Sequence, residues 1–285
     1  MRISLSITNY SWPRLDSDLA RTVSAADEFG LDTVWVADHL IQADPTSVPD
    51  SEMLEAYTTL GFVAARTERI RLGTMVTGVT FRPPSMLIKA VTTLDVLSGG
   101  RAWLGVGAGY LEDEARAMDL PLPPTGERFE RLEETLRLAL QMWSGDSSPF
   151  EGRHYRLERP VNNPAALSKP HPPILIGGMG ERKTLRLVAQ YADACNLFDI
   201  PDEGKTIRHK LDVLERHCEA VGRPYDEIEK TVSTRMDPGK SADGFAEQCD
   251  RLAALGIDHA VVITAGPWTE DAVERLATAQ QEERW

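Results

Sequence analysis

The chain has 285 residues, 42% of them hydrophobic and 26% charged, with a formal charge of −13 at pH 7. That balance is typical of a globular protein and excludes a chain too polar to bury a core. The acidic surplus, with no block of Lys and Arg, excludes the phosphate-neutralising surface that binds nucleic acid or an anionic membrane. No apolar run approaches the roughly 20 residues that span a bilayer, and the opening Met1-Arg2 followed by a β-like Ile3–Ile7 lacks a secretory signal pattern, so a cytoplasmic protein is expected. Cys195, Cys218 and Cys249 are far apart with no CxxC pairing and read as core thiols.

Strand-like runs occur near 2–8, 32–37, 70–77, 102–107, 173–177, 193–198, 229–235 and 259–264. Between them lie apolar stripes at helical spacing, such as Leu19, Val23, Ala26 and Phe29, then Leu185, Val188, Ala189 and Ala192, then Ile207, Leu211, Leu214, Cys218 and Val221. Most of the strands are apolar on both faces, as parallel strands under helices are (Thr33–Ala37, Ala260–Ile263). Eight such units predict an α/β (β/α)8 TIM barrel as a single domain over 1–285. Gly30 and Gly256 fall where a left-handed residue ends a helix before the next strand. A long charged helix from about Glu127 to Trp143 leads into a Pro-, Gly-, Ser- and Asn-rich excursion over 144–172, between the fourth and fifth strands. It is expected at the C-terminal face or wrapped along the side, either as a lid or partner surface or as an ordinary surface loop.

In this fold reactive groups sit at the C-terminal ends of strands. After the first strand, Tyr10 and Trp12 are candidates for a substrate wall, with a structural role as the other reading. The second strand ends in Asp38-His39. The imidazole can exchange a proton with a reacting group, and the carboxylate can fix its tautomer or hold a ligand hydroxyl, although neighbouring strand residues point to opposite sides. His154, His171, His209, His217 and His259 fit loops or helix surfaces, and no pair has metal-ligand spacing. Gly73 and Gly78 bracket Met75, Val76 and Thr77. The fourth strand alternates Gly105, Gly107 and Gly109 around Val106 and Ala108, then reaches Tyr110, another substrate candidate; either a planar ring or close strand packing explains the missing side chains. The fifth ends in Gly177-Gly178-Met179-Gly180 before a helix, an arrangement that binds anions, and residues 169–186 hold four bases (Lys169, Arg182, Lys183, Arg186) against Glu181.

Taken together, Trp35–His39, Thr67–Thr74, Thr93–Arg101 running into Gly105–Gly109, Glu127–Glu134 and Gly177-Gly178 resemble the luciferase-like monooxygenase superfamily, in its branch of actinobacterial deazaflavin-dependent oxidoreductases. The resemblance spans about residues 2–265. It implies a barrel with coenzyme F420 across its C-terminal mouth, against Met75, Val76, Thr77, Gly107, Ala108 and Gly109. A non-prolyl cis peptide is implied at or near Met75–Val76, the coenzyme phosphate at Gly177–Gly180, and His39 beside the ring. Tyr110 stands where a sugar-phosphate dehydrogenase of the superfamily carries a glutamate acid, which argues against that substrate, and the long loop of bacterial luciferase is missing. The expected activity is hydride transfer between F420 and a small uncharged organic molecule: C=C or C=N reduction, or alcohol oxidation. The alternatives are an FMN-dependent monooxygenase and, from another class, a non-catalytic ligand-binding barrel; a homodimer is expected.

Overall fold

The computed structural model describes residues 1–48, 50–236 and 240–281; Pro49, residues 237–239 and the last four residues of the expected domain lie outside them. The first half runs β1 (Arg2–Ile7), α1 (Leu15–Glu28), β2 (Thr33–Val36), α2 (Ala56–Ala64), β3 (Arg71–Thr74), β4 (Thr77–Gly78), α3 (Pro84–Ser98), β5 (Leu104–Gly107), α4 (Glu112–Ala117) and α5 (Thr125–Ser144). A small antiparallel hairpin follows, β6 (Phe150–Glu151) and β7 (Arg156–Leu157). The second half runs β8 (Ile174–Gly177), α6 (Thr184–Tyr191), β9 (Ala194–Phe198), α7 (Lys205–Val221), β10 (Glu229–Arg235), α8 (Ala242–Ala253), β11 (His259–Ile263) and α9 (Glu270–Gln281).

All barrel pairings are parallel, in the order β3-β2-β1-β11-β10-β9-β8-β5-β4. β3 and β4 are two halves of one stave, interrupted at the Met75–Val76 bond, which is cis. The lower half meets β5 through a Leu72–Ala102 bridge, and the upper half through Thr77–Val106 and Gly78–Gly107, so the ring closes with eight staves. They coincide with the eight strand-like runs. Gly30 and Gly256 have φ of +78° and +89°, the left-handed geometry expected at those helix ends.

Filling the barrel decides where a cavity can form. At the N-terminal end Trp35 and Trp103 cross edge to face, with centroids 5.7 Å apart, and pack with Leu175, Ala194 and Val261. Gly73 is required there, because a Cβ would sit 2.5 Å from the Trp35 ring. Below them Ser4 meets Trp35 Nε1 (3.0 Å) and His259 Nε2 (2.9 Å), while His259 Nδ1 contacts Glu229 (2.7 Å). His259 is therefore a fully buried strand residue, not a loop or helix-surface histidine; its polar partners supply what the apolar run around it cannot.

The excursion over 144–172 wraps the side of the barrel. Glu134 of α5 accepts the amides of Arg153 (2.7 Å) and Tyr155 (3.0 Å), and the buried Asp95 of α3 accepts those of Leu167 (2.7 Å) and Ser168 (3.0 Å). It is not a lid. It delivers Lys169 to the N-terminal face beside Arg2, Arg71 and Asp258, a barrel's height from the Gly177 turn. All three cysteines are buried and none is in a disulfide. Among the described residues no helix is long and apolar enough to cross a membrane.

Two positions test this scaffold. A Cβ on Gly105 would lie 1.8 Å from the Thr74 carbonyl oxygen, so Gly105→Ala is expected to destabilise the barrel by about 3 kcal/mol or more in urea unfolding. Asp27 accepts the amides of Glu68 (2.9 Å), Arg69 (2.9 Å) and Ile70 (2.6 Å). Burial raises its pKa, but these bonds outweigh it and hold it below the ordinary carboxylate range. Asp27→Ala should cost about 2–4 kcal/mol at neutral pH. Because the native pKa is the lower one, this advantage is complete above the unfolded-state pKa of about 4 and shrinks as the pH falls through the native value. Unfolding both proteins at pH 7 and pH 3 checks it.

Candidate active site

β2 delivers Asp38 and His39 to the C-terminal rim on opposite sides of the chain. Asp38 turns into the wall, where its Oδ2 accepts from Thr77 Oγ1 (2.6 Å) and Arg82 (2.6 Å) and its Oδ1 accepts from Arg82 (3.0 Å). The guanidinium bridges on to Glu55 (2.5 Å), and both carboxylates raise its pKa against the effect of burial. His39 turns the other way, into the mouth. Its Nδ1 pairs with Glu114 Oε2 (2.8 Å), whose Oε1 accepts the Leu40 amide (2.6 Å). Burial raises the Glu114 pKa, but the His39 and Leu40 hydrogen bonds lower it further, leaving it below the ordinary range and the group ionised at neutral pH. An ionised acceptor at Nδ1 fixes the proton there in the neutral ring and leaves Nε2, which bonds to no described residue, facing the mouth. The partner that sets the tautomer is thus Glu114 on α4, not Asp38.

Two cavities meet at this histidine. One, of about 430 Å³, runs from Ser6, His39 and Met75 past Val76, Gly107, Ala108 and Gly109 to Thr125, Arg128, Gly177, Gly178 and Thr184. The other, of about 490 Å³, opens toward Gln42, Asp44, Met53, Asp199, Arg235 and Gln248. His39, Met75 and Tyr110 line both. The two readings of the glycine alternation divide between its members. Gly105 packs on the Thr74 backbone, whereas Gly107 and Gly177 flank Val76, with a Cβ on either falling 3.0 Å from its methyls. The Val76 side chain therefore lies flush in the floor of the first cavity.

At the far end, Gly178 takes φ +114° beside Thr184, which opens α6. Arg128 donates to the Gly109 carbonyl and to Thr125 Oγ1 (2.8 Å), and its buried Nε has no protein partner. Arg128 belongs to a stretch legible in the sequence, but helical spacing alone does not separate it from the other charges of α5. Of the four expected bases, Lys169 is on the opposite face and Arg186 pairs with Glu133 (2.9 Å), so Arg182 and Lys183 alone stay near the turn.

Several expected residues lie elsewhere. Tyr10 and Trp12 belong to the hydrophobic core, with Trp12 Nε1 bonded to the Trp268 carbonyl (2.7 Å), and neither lines a cavity. Thr77 is buried behind the floor, and Met179 and Gly180 turn away from it; Met179 sulfur meets the Phe198 amide (3.5 Å) and the Gly180 carbonyl caps α6 through Leu185 (3.0 Å). Tyr110 stands at the mouth with its ring edge-on to His39, 6.0 Å between centroids. No cluster of three metal-ligating side chains occurs among the described residues. The Asp38–Arg82 pair is the prediction of this geometry: Arg82→Met leaves a buried carboxylate unpaired and should cost about 3–5 kcal/mol in denaturant unfolding, with Arg82→Lys losing less.

Comparison with known proteins bears on the family and the fold. The chain is 34% identical over 238 residues to the F420-dependent glucose-6-phosphate dehydrogenase of Kineococcus radiotolerans, covering 79% of this chain and 66% of the relative. It is 28% identical over 284 residues to the protein of the same name from Amycolatopsis mediterranei, covering 94% and 80%. Similar solved structures include an F420-dependent secondary alcohol dehydrogenase in complex with an F420–acetone adduct (TM-score 0.84, 16% identity, 100% of both chains). Another is the monooxygenase RslO1 from Streptomyces bottropensis (TM-score 0.82, 18% identity, 99% and 98%). At those identities the structures speak for the fold alone. A family model described as luciferase-like monooxygenase matches residues 4–284, and the chain belongs to that family.

Proposed function

We propose that this protein is a coenzyme F420-dependent oxidoreductase that moves a hydride between the deazaflavin and a small organic substrate. The observation that carries the reading is His39, backed by the buried Glu114, standing where two cavities join. The first cavity suits a long planar group with an anionic tail: Gly107 and Gly177 leave a floor in which Val76 is flush, and the Arg128 guanidinium and the Gly178 turn line the other end. Met75, Val76, Gly107, Ala108 and Gly109 would hold the ring, and Arg128, Gly177, Gly178 and Thr184 the phosphate. The second cavity is left for the substrate. The identity to relatives named for F420 supports that coenzyme over FMN.

When bound, F420 supplies a ring carbon that gives or takes two electrons as hydride. The chain supplies orientation and a proton path. His39, its Nδ1 held by Glu114, accepts at Nε2 the hydroxyl proton that an alcohol sheds as it is oxidised, and Glu114 stabilises the imidazolium that results. In the reducing direction the same imidazolium returns the proton. Asp38 acts at a distance by fixing the strand end through Arg82 and Thr77. Tyr110 walls the shared space.

Fluorescence titration of the purified protein with F420 and, separately, with FMN tests the coenzyme; F420 should bind at micromolar concentration or tighter, and tight FMN binding with none of F420 would overturn the reading. With F420 bound, His39→Ala should lower turnover by about 10²–10⁴-fold while coenzyme affinity changes little. Unchanged turnover removes His39 from the proton path. Glu114→Gln, which keeps the shape and loses the charge, should lower kcat by about tenfold or more and leave KM nearly unmoved.

A further inference from the structure

The cavity left for the substrate has a charge pattern that narrows what it can take. Its lining carries two carboxylates, Asp44 and Asp199, and a single guanidinium, Arg235. Asp44 is buried and fully engaged: Thr8 Oγ1 (2.9 Å), the Thr46 amide (2.9 Å) and hydroxyl (2.8 Å) and Arg235 (3.0 Å) all donate to it. Arg235, the one Lys or Arg among the described residues of this lining, therefore has its charge paired with a buried carboxylate through one of its nitrogens, its side chain staying 43% exposed. Asp199, at the exposed end of β9, pairs with no Lys or Arg among the described residues. Its Oδ2 accepts from Thr234 Oγ1 (2.7 Å) and Gln248 Nε2 (3.4 Å), while its Oδ1 accepts from none of them. Lys240 reaches the other end of Gln248, at Oε1 (2.9 Å), and does not meet the carboxylate.

We propose that this cavity selects an uncharged hydroxy or oxo compound and rejects phosphorylated ones, with Asp199 the residue that sets the selectivity. The inference rests on the proposed function, which supplies the reaction. A phosphate ester entering here carries two negative charges into a lining whose described Asp, Lys and Arg side chains balance to −1, with the one guanidinium already paired to Asp44. An uncharged substrate meets an acceptor at Asp199 Oδ1, with Met53, Met75, Phe198 and Ile263 for its carbon frame. Its reacting carbon–oxygen bond then lies toward His39, which both cavities share. On this inference the chain differs in substrate from the relatives named for glucose 6-phosphate.

The test compares glucose 6-phosphate with a panel of uncharged alcohols and ketones (propan-2-ol, cyclohexanol, glucose, acetone, cyclohexanone) in the F420-linked assay, after F420 binding has been measured by fluorescence. The best uncharged compound should exceed glucose 6-phosphate in kcat/KM by about 100-fold or more. Asp199→Lys should raise kcat/KM for glucose 6-phosphate by about tenfold or more and lower it for the uncharged compound, and Asp199→Asn should fall between, reading charge apart from shape. If the Lys variant fails to fold, the Asn variant and the wild-type comparison decide alone. Glucose 6-phosphate turned over as well as the best uncharged compound, or no uncharged compound turned over while F420 binds, overturns the inference. Absence of F420 binding overturns the proposed function instead, and takes this inference with it.

Discussion

The interior of an eight-stave barrel is just wide enough for side chains to fill it, and the way this chain fills it controls everything above. Large rings go to the N-terminal end, where Trp35 and Trp103 cross and Gly73 yields its side chain to them. Small residues go to the C-terminal end, where Gly107 and Gly177 leave a gap that Val76 occupies only flush with the floor. A barrel packed evenly would have no mouth. Packed unevenly, it keeps a solid base, and the space it gives up lies beside the strand ends that carry titratable groups.

The end of β2 shows how charge is handled around that space. Two adjacent polar residues leave the strand in opposite directions, and each meets a partner of complementary character on another element: Asp38 with Arg82, His39 with Glu114. A buried carboxylate without such a partner would be expensive, so the arrangement is stable only as a set. The wall pair holds the strand end still. The mouth pair then presents one imidazole nitrogen to solvent-accessible space with its protonation pattern already chosen.

How much of this was legible in the sequence follows from the range of the interactions. The staves, the glycines at Gly30 and Gly256 and the place of His39 at a strand end come from local patterns, and all were readable. The Met75–Val76 bond was placed by resemblance alone. Glu114 escaped because it lies 75 positions from its partner, on a short helix with three acids in its first turn, and nothing local distinguishes the one that turns inward. Tyr10 and Trp12 misled because an aromatic residue at a strand end suits a core as well as a pocket. Lys169 misled because proximity in sequence to the Gly177 turn counts for little when a whole strand, β8, stands between them.

Two of the stretches that carry the family resemblance are joinery. Arg101 donates to the carbonyls of Ala64, Thr67, Ile70 and Ser98, and Asp27 gathers the amides of Glu68, Arg69 and Ile70, so the segments 67–74 and 93–101 lock helices to staves at the base of the barrel. Those joints are indifferent to what happens at the mouth. A chain that keeps these joints keeps a workbench and is at liberty to change the tool, so these two stretches speak for the barrel and leave the substrate to the residues at its mouth.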